Sequence, residues 1–392
     1  MKKVLKIILN VLKWILIVIV SLVVLLLVVR FVGKKINSKT PNGGINEEMY
    51  VDINGQQQWI SIYGKDKDNP VMLYLHGGPG YSTSYVDWAI TRKLADDYTV
   101  VSWDQRDCGK TWINDPKGTE ITPDVMRSDL CEMVDYLLDY FDRDKITFLG
   151  MSWGTYYGCD YALTYSDNVE CIINLSQCVD NKESSLALKQ AFLDWSEGDS
   201  EYHALAEQYD PLLLDNLSDD DYQAFEYWIN AAPEKRPAMI QSNAKLAEVT
   251  EKLKQQTGII MRLNEKYLPE EENVFDSDVN LVAAVIFNPY YSLSDLYKIT
   301  QYDDSVDFNI HSHGFLDTFS LKDRTEYKMP IYVLQGSDDD YGGVAKNYID
   351  SVNAPDKDFR YIAGGHMSTM LQSELLASFV DEVAEKQQNL TK

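Results

Sequence analysis

The amino-acid sequence predicts an α/β protein: a mostly parallel β-sheet with helices on both faces, interrupted by a helical insertion and preceded by an apolar N-terminal helix. Three observations predict it. Short apolar runs alternate with amphipathic helix-length stretches from residue 70 to about 180 and again after 329, the pattern of parallel strands joined by crossover helices. Between residues 181 and 305 that alternation gives way to acids, aromatics and helix formers. Trp14 to Val29 is apolar except for Ser21.

The apolar run, extended to Val11 and Val32 with Lys13 and Arg30 snorkelling, gives 22 residues, or roughly 33 Å of helix. That length crosses a bilayer. No small-x-small cleavage site follows it, so an uncleaved single-pass anchor is expected rather than a signal peptide. Four lysines precede the run, and Arg30, Lys34, Lys35 and Lys39 follow it, so the positive-inside count is tied. Translocating a four-lysine tail is the harder course, which favours an inside N-terminus and an extracytoplasmic main domain. Residues 33–48 read as a polar linker. The runs about Asn54-Gly55 read as a hairpin. "PVMLYLHGG" and "YTVVSWDQR" are strand-like, and "TPDVMRSDLCEMVDYLLDYF" is a helix with Thr122 as N-cap and Pro123 in its first turn. "KITFLG", "TYYGCDYALTYS" and "VECIINLSQ" then read as strand, helix and strand. After the helical segment the pattern resumes at "MPIYVLQG", "GGVAKNYIDSV" and "FRYIAGG", and closes on one helix, "STMLQSELLASFVDEVAEKQQ". These readings divide the chain into an anchor with the start of its linker (1–39), a first part of the core (40–180), a helical cap (181–305) and a second part of the core (306–392).

Net charge is -25, but the first 39 residues carry eight cations and no acid, leaving the remainder at -33. So acidic a domain repels a phosphate backbone, which excludes nucleic acid as a partner. It suits a cationic or neutral substrate. The five cysteines (Cys108, Cys131, Cys159, Cys171, Cys178) show no CxxC or Cys/His ligand spacing, so neither a disulfide framework nor a zinc site is expected. No metal or organic cofactor is implied.

Gly150-Met151-Ser152-Trp153-Gly154 lies between a strand and a helix pattern. That is the context of a nucleophile elbow, in which a strained turn lifts the serine hydroxyl above the sheet edge. A hydroxyl needs a base. Of His76, His203, His311, His313 and His366, only His366 follows a core strand on a loop C-terminal to the serine. His76 is expected to hydrogen-bond its own loop, His203 to lie on the cap surface, and His311 and His313 to lie in a loop or hinge. The base needs an acid to fix its tautomer. "GSDDD" supplies three, of which Asp339 has the reach and Asp338 is the runner-up. Two main-chain N–H groups must hold the oxyanion. Trp153, after the nucleophile, supplies one, and Gly78 of "HGGPG" is the expected second.

Taken together, "HGGPG", "SWDQRDCGKT", "GMSWGT", "QGSDDD" and "GGHM" resemble the α/β-hydrolases similar to proline iminopeptidases, serine aminopeptidases that remove an N-terminal proline or other residue. The resemblance covers residues 50–180 and 325–390. It implies Ser152 as nucleophile, His366 as base, Asp339 as orienting acid, and Gly78 with Trp153 as oxyanion hole. It also implies that Asp104 and Arg106 hold loops together. Two positions depart from the family pattern: Asp107 stands where glycine is usual, and Lys110-Thr111 where Arg-Ser is usual. Peptidases of this family bind the substrate amine through cap glutamates. Glu197 and Glu201 in "FLDWSEGDSEY" are the nearest counterparts here, with Glu207, Glu226 and Glu234 as further acids. Short peptides are the expected substrates. A carboxylic ester, lactone or small amide suits the same triad, and a non-catalytic binding protein on the same fold is the third reading. Oligomeric state is not legible.

Overall fold

The computed structural model describes residues 2–117, 121–229, 231, 233–268, 277–301 and 315–390. Strands β1 (Ile45–Ile53) and β2 (Gln56–Gly64) pair antiparallel. They turn at Asn54 and Gly55, whose φ values of 47° and 77° are the left-handed pair a two-residue hairpin loop requires. Strand β2 pairs antiparallel with β4 (Thr99–Asp104). From there β3 (Val71–Leu75), β5 (Ile146–Met151), β6 (Val169–Leu175), β7 (Ile331–Gly336) and β8 (Lys357–Ile362) continue the sheet in parallel. The spatial order is β1-β2-β4-β3-β5-β6-β7-β8. The order reverses around β3, where the chain first steps to β4 and then back to β5. Ligands in such sheets bind at the carboxyl ends of the strands beside that reversal.

The apolar strands are buried on both sides because successive residues serve different faces. In β3, Val71, Leu73 and Leu75 join one core cluster, and Met72 and Tyr74 join the other. In β7, Ile331 and Val333 divide from Tyr332 and Leu334 in the same way. Helices α2 (Ser84–Thr91) and α3 (Gly109–Asn114) follow β3 and β4. Helix α4 (Pro123–Phe141) lays Met126, Leu130, Met133, Val134 and Leu137 on the first face. Thr122 Oγ1 caps it by accepting from Val125 N at 3.2 Å. The final helical segment covers the other face with Leu376, Phe379, Val380 and Val383. It is broken at Gln372 into Ser368–Leu371 and Ser373–Leu390, where the sequence pattern reads as one helix.

Between β6 and β7 the described residues contain helices and no strand of the main sheet. Helices α6 (Asn181–Trp195), α7 (Ser200–Gln208), α8 (Asp219–Ile229), α9 (Arg236–Ser242), α10 (Ala244–Tyr267), α11 (Leu281–Phe287) and α12 (Leu293–Ile299) follow in turn. His311 and His313 lie outside the described residues. The N-terminal helix α1 runs from Lys2 to Asn37, and its apolar side chains are exposed throughout. The helix therefore continues through residues 33–37, and β1 begins at Ile45, so the linker read at 33–48 shrinks to residues 38–44. The reason is tertiary. Asn37 O, at the helix end, accepts from Arg92 Nη1 at 2.7 Å, a contact invisible to local pattern.

Candidate active site

Gly78, Ser152, Asp339 and His366 each sit just past the carboxyl end of a strand. Ser152 follows β5 with φ 53° and ψ −119°, a region an L-residue occupies only under constraint. Two close approaches supply that constraint. A Cβ on Gly150 would stand 2.7 Å from Gly154 O, and a Cβ on Gly154 would stand 2.0 Å from Leu75 O. Glycine at both positions lets β3, β5 and α5 (Trp153–Thr164) pass at this distance. Ser152 N donates to Leu175 O at 3.0 Å, and Thr155 N and Oγ1 donate to Ser152 O at 2.8 and 2.7 Å. The turn is thus held from both sides.

His366 follows β8, and Asp339 follows β7. His366 Nδ1 lies 2.9 Å from Asp339 Oδ1 and 3.0 Å from Oδ2. The imidazole is 41% exposed and the carboxylate 18%, so the acid lies behind the ring and the ring opens outward. Of the three consecutive aspartates, only Asp339 makes this contact. Asp340 caps the next helix, accepting from Ala345 N and Lys346 N and from the Tyr361 hydroxyl. Asp338 is exposed and its amide donates to Gly364 O at 3.0 Å. Ser152 and His366 are held by adjacent residues of one strand end. Leu175 O binds Ser152 N, and Ser176 Oγ donates to His366 O at 2.6 Å.

The glycine loop of residues 77–80 runs past Ser152. A Cβ on Gly77 would lie 3.9 Å from Ser152 Oγ, and Gly78 takes φ +117°, a conformation that favours glycine. Trp153 opens α5, so its N–H has no intrahelical acceptor. One buried network holds both segments. His76 Nδ1 donates to Gly77 O at 2.7 Å, His76 Nε2 accepts from Gln105 N at 3.3 Å, and Gln105 Oε1 accepts from Trp153 Nε1 at 3.1 Å. Burial pushes the His76 pKa down to about 4, so the ring is neutral and serves as a strut.

Asp104 and Arg106 also hold loops. Asp104, fully buried, accepts from Lys110 N at 2.6 Å and from the Ser82 hydroxyl. Arg106 forms a two-pronged ion pair with Asp129 at 2.6 and 2.7 Å. Asp107 takes φ 53°, which explains why glycine is usual there. Its carboxylate accepts from Gln56 Nε2 at 2.6 Å and Lys117 N at 3.0 Å. Lys110 Nζ reaches Glu48 at 2.5 Å and Tyr290 O at 3.1 Å.

The cap glutamates stand elsewhere. Glu197 is exposed beyond the end of α6, and Glu201 on α7 pairs with Arg262 at 2.5 Å. Neither touches Ser152, Asp339 or His366 among the described contacts. The acids that do border the Asp339 loop are Asp194, Asp338 and Asp340, the last already engaged in capping the next helix. They line a cleft of about 670 Å³ with Trp195, Tyr267, Ser337 and Tyr341. His203 lies on α7, 3.2 Å from Ser196 Oγ.

Sequence reasoning missed three supports. Gln335 Nε2 donates to Asp339 Oδ2 at 2.9 Å, and Gln335 Oε1 accepts from Gln177 N at 2.7 Å. Ser176, with φ 53°, holds the His366 main chain. Cys178 touches the Ser152 side chain. Burial, with the Asp339 charge adding to it, pushes its thiol up to about 12, so it stays protonated. The one signal for Gln335 was a polar residue closing the apolar run "IYVL".

This is an α/β sheet with a strained serine, a carboxylate-bound histidine and a glycine loop gathered at its carboxyl edge. The family described as alpha/beta hydrolase fold matches residues 70–372, and the chain belongs to it. Among curated proteins, a probable aminopeptidase, YbaC, of Bacillus subtilis is 27% identical over 147 residues, 38% of this chain and 46% of that protein. A proline iminopeptidase of Lactobacillus helveticus is 27% identical over 191 residues, 45% of this chain and 58% of its own. The chain thus spans about half the length of the curated relatives it matches. In structure it is similar to a Mycobacterium smegmatis proline iminopeptidase (TM-score 0.52, 16% identity, 88% of this chain and 100% of that one). It is also similar to an epoxide hydrolase of Vigna radiata (TM-score 0.50, 18% identity, 87% and 98%). Those likenesses carry the fold alone, and the two neighbours' names differ in reaction.

Proposed function

We propose that the chain is a membrane-anchored serine hydrolase that releases N-terminal residues, proline or another, from short peptides. The observation that carries this reading is the Asp339–His366 contact at 2.9 Å, with Ser152 held at φ 53° by the same strand end that fastens the His366 main chain. The ring's Nδ1–H is directed at the carboxylate, which leaves Nε2 as the acceptor for the Ser152 proton. Ser152 Oγ attacks the substrate carbonyl, and the oxyanion accepts from the N–H groups of Gly78 and Trp153. As the tetrahedral species collapses, the C–N bond breaks, His366 gives its proton to the leaving amine, and an ester to Ser152 remains. Water, deprotonated by His366, hydrolyses that ester.

The substrate's free ammonium is read by carboxylates. With Glu197 exposed and Glu201 paired outward, Asp194 and Asp338 in the cleft beside Asp339 are the acids assigned to it. The segment Lys3–Asn37, whose most apolar 18-residue stretch has a mean hydropathy of 3.3, is the anchor, its N-terminus inside and the catalytic part outside. Carboxylic esters, lactones or small amides are the second reading, favoured by the outward position of Glu201.

The test is a substrate panel on the full chain in detergent: proline, alanine and leucine arylamides beside a matched nitrophenyl ester. Arylamide turnover that falls by about a million-fold in Ser152→Ala supports the peptidase. Ester turnover without arylamide turnover replaces it with the second reading.

A further inference from the structure

The end of α1 is fastened to the domain. Arg30 Nη1 donates to Val285 O at 3.3 Å and to Ile286 O, and its Nη2 donates to Tyr291 O at 2.9 Å. Lys34 Nζ donates to Tyr291 O at 2.9 Å, and Asn37 Nδ2 to Phe287 O at 3.0 Å. These are the last carbonyls of α11 and the turn after it, groups a helix leaves without internal partners and at which cations are favourable. Gly33 lies so close to the Phe287 ring that a Cβ there would stand 2.3 Å from Cδ1. Arg30 also closes the apolar run. At 1.5 Å per residue, Arg30 to Asn37 spans only about 10 Å. The domain is therefore seated within about two helical turns of the bilayer edge rather than swinging on a tether.

The two helices beside this seat show apolar side chains to solvent. Val282 and Ile286 on α11 are 51% and 39% exposed, and Leu293 and Tyr297 on α12 are 53% and 67% exposed. Each pair is spaced by four and so shares one helix face. The opposite faces are used: Ala284 is buried, and Leu296 and Ile299 pack on Trp59, Tyr290 and Tyr291. Scattered apolar exposure is ordinary. Two such faces on consecutive helices, fastened to the end of a membrane-length helix, are not scattered. Lys298 on α12 is exposed, as are Lys35 at the end of α1 and Lys39 just past it, on a domain otherwise strongly acidic. Tyrosine, lysine and aliphatic side chains are the set that settles at a lipid headgroup boundary.

We propose that the outward face of α11 and α12 lies in the interfacial layer of an anionic phospholipid bilayer, so that the catalytic domain rests on the membrane in a fixed pose. This rests on the reading of α1 as a membrane span. The test uses the full chain reconstituted in phosphatidylcholine vesicles containing phosphatidylglycerol. Ile286→Cys, Leu293→Cys and Tyr297→Cys are labelled with an environment-sensitive fluorophore. Tyr227→Cys, at an exposed site on α8, is the control, and the unsubstituted chain is the blank for its native cysteines. The expected result is blue-shifted emission at the three sites, quenched by nitroxide-bearing lipids at least several-fold more than at residue 227. Three labels matching the control, with the chain retained in vesicles after alkaline carbonate washing, overturn the seat and leave the anchor standing. Blue-shifted labels that the lipid nitroxides do not quench assign the face to a protein partner and overturn it as well. Release by carbonate removes the anchor itself, and the proposal with it.

Discussion

Asp339→Asn offers a sharp test of the proposed triad, because the surrounding hydrogen bonds dictate how the introduced amide must sit. Gln177 N–H is a main-chain donor, so the Gln335 atom 2.7 Å away has to be Oε1. Gln335 Nε2 therefore faces residue 339, at 2.9 Å. A carboxylate accepts from both Gln335 and His366. An asparagine cannot: its only acceptor oxygen is claimed by Gln335 Nε2, which turns Nδ2–H₂ toward the imidazole. His366 Nδ1 must then accept, the proton moves to Nε2, and the ring no longer takes the proton of Ser152. Loss of the correct tautomer costs about ten-thousand-fold in kcat, or roughly 5.5 kcal/mol of transition-state stabilisation. The same logic predicts a rescue. When Gln335→Glu is combined with Asp339→Asn, the new carboxylate accepts from both Gln177 N–H and the side-chain amide introduced at position 339. That turns the amide oxygen back to His366. The hydrogen bond to the ring is then neutral and weaker, so recovery is partial, about ten- to hundred-fold over the single D339N variant. Gln335→Glu alone sets two carboxylates against each other and lowers activity, so the pair couples strongly in a double-mutant cycle. Steady-state kcat on the best substrate of the panel reads all four corners. Asp339→Asn within tenfold of the parent, or a double variant no better than the single, refutes the reasoning. Asp323→Asn, at an exposed position with no part in the proposed site, is the bystander control and leaves kcat within about twofold.

Gly154→Ala places a methyl 2.0 Å from Leu75 O, an overlap with backbone that no rotamer relieves. It should lower the unfolding free energy by about the 1–3 kcal/mol typical of overpacking, or more, and abolish labelling of Ser152 by a fluorophosphonate; full labelling contradicts the close approach. His76 supplies a pH signature. Its ordinary value of 6.5 falls to about 4 on burial, so between those limits the unfolded chain holds a proton that the folded chain lacks, and stability falls as the pH drops. The difference is worth roughly 3 kcal/mol. Asp87, buried and pushed up to about 6 from 3.8, acts in the opposite sense, keeping a proton in the fold that the unfolded chain has lost. Denaturant titrations of His76→Asn against the parent isolate the histidine: the variant's deficit at pH 7 shrinks by roughly 3 kcal/mol at pH 4, and a deficit independent of pH rules out a buried neutral ring.

Much of this site was legible because its chemistry imposes local pattern. A strained serine between strand and helix demands small residues two positions either side, so Gly150 and Gly154 announce Ser152. The same holds for the Asn54-Gly55 turn, which must reach positive φ. What stayed hidden depends on contacts between distant segments. Nothing near residue 33 says that helix α1 continues to Asn37, since Arg92 and the carbonyls of α11 hold it there. In "SDDD" only reach past Gly336 favours Asp339 over Asp338; the contact that holds Asp339 comes from Gln335, one side chain deep in the preceding strand. Cap acids carry no period and no required spacing, so Glu197 and Glu201 were chosen by resemblance, and their exposure was beyond the reach of sequence.

The hidden part has a common origin at the end of β6. Leu175 O receives Ser152 N, Ser176 Oγ fastens the His366 main chain, and Gln177 N fixes the amide that faces Asp339. Three consecutive residues thus hold the segments of Ser152, His366 and Asp339, each arriving from a different strand. This gives a physical reason for the left-handed φ of 53° at Ser176, a conformation that costs a non-glycine residue on the order of 1 kcal/mol or more. An extended strand sends successive polar groups to opposite sides. A residue turned into the left-handed region lets a carbonyl, a hydroxyl and an amide from neighbouring positions all converge on one edge of the sheet. A glycine would adopt that turn without strain, but it has no hydroxyl with which to hold His366.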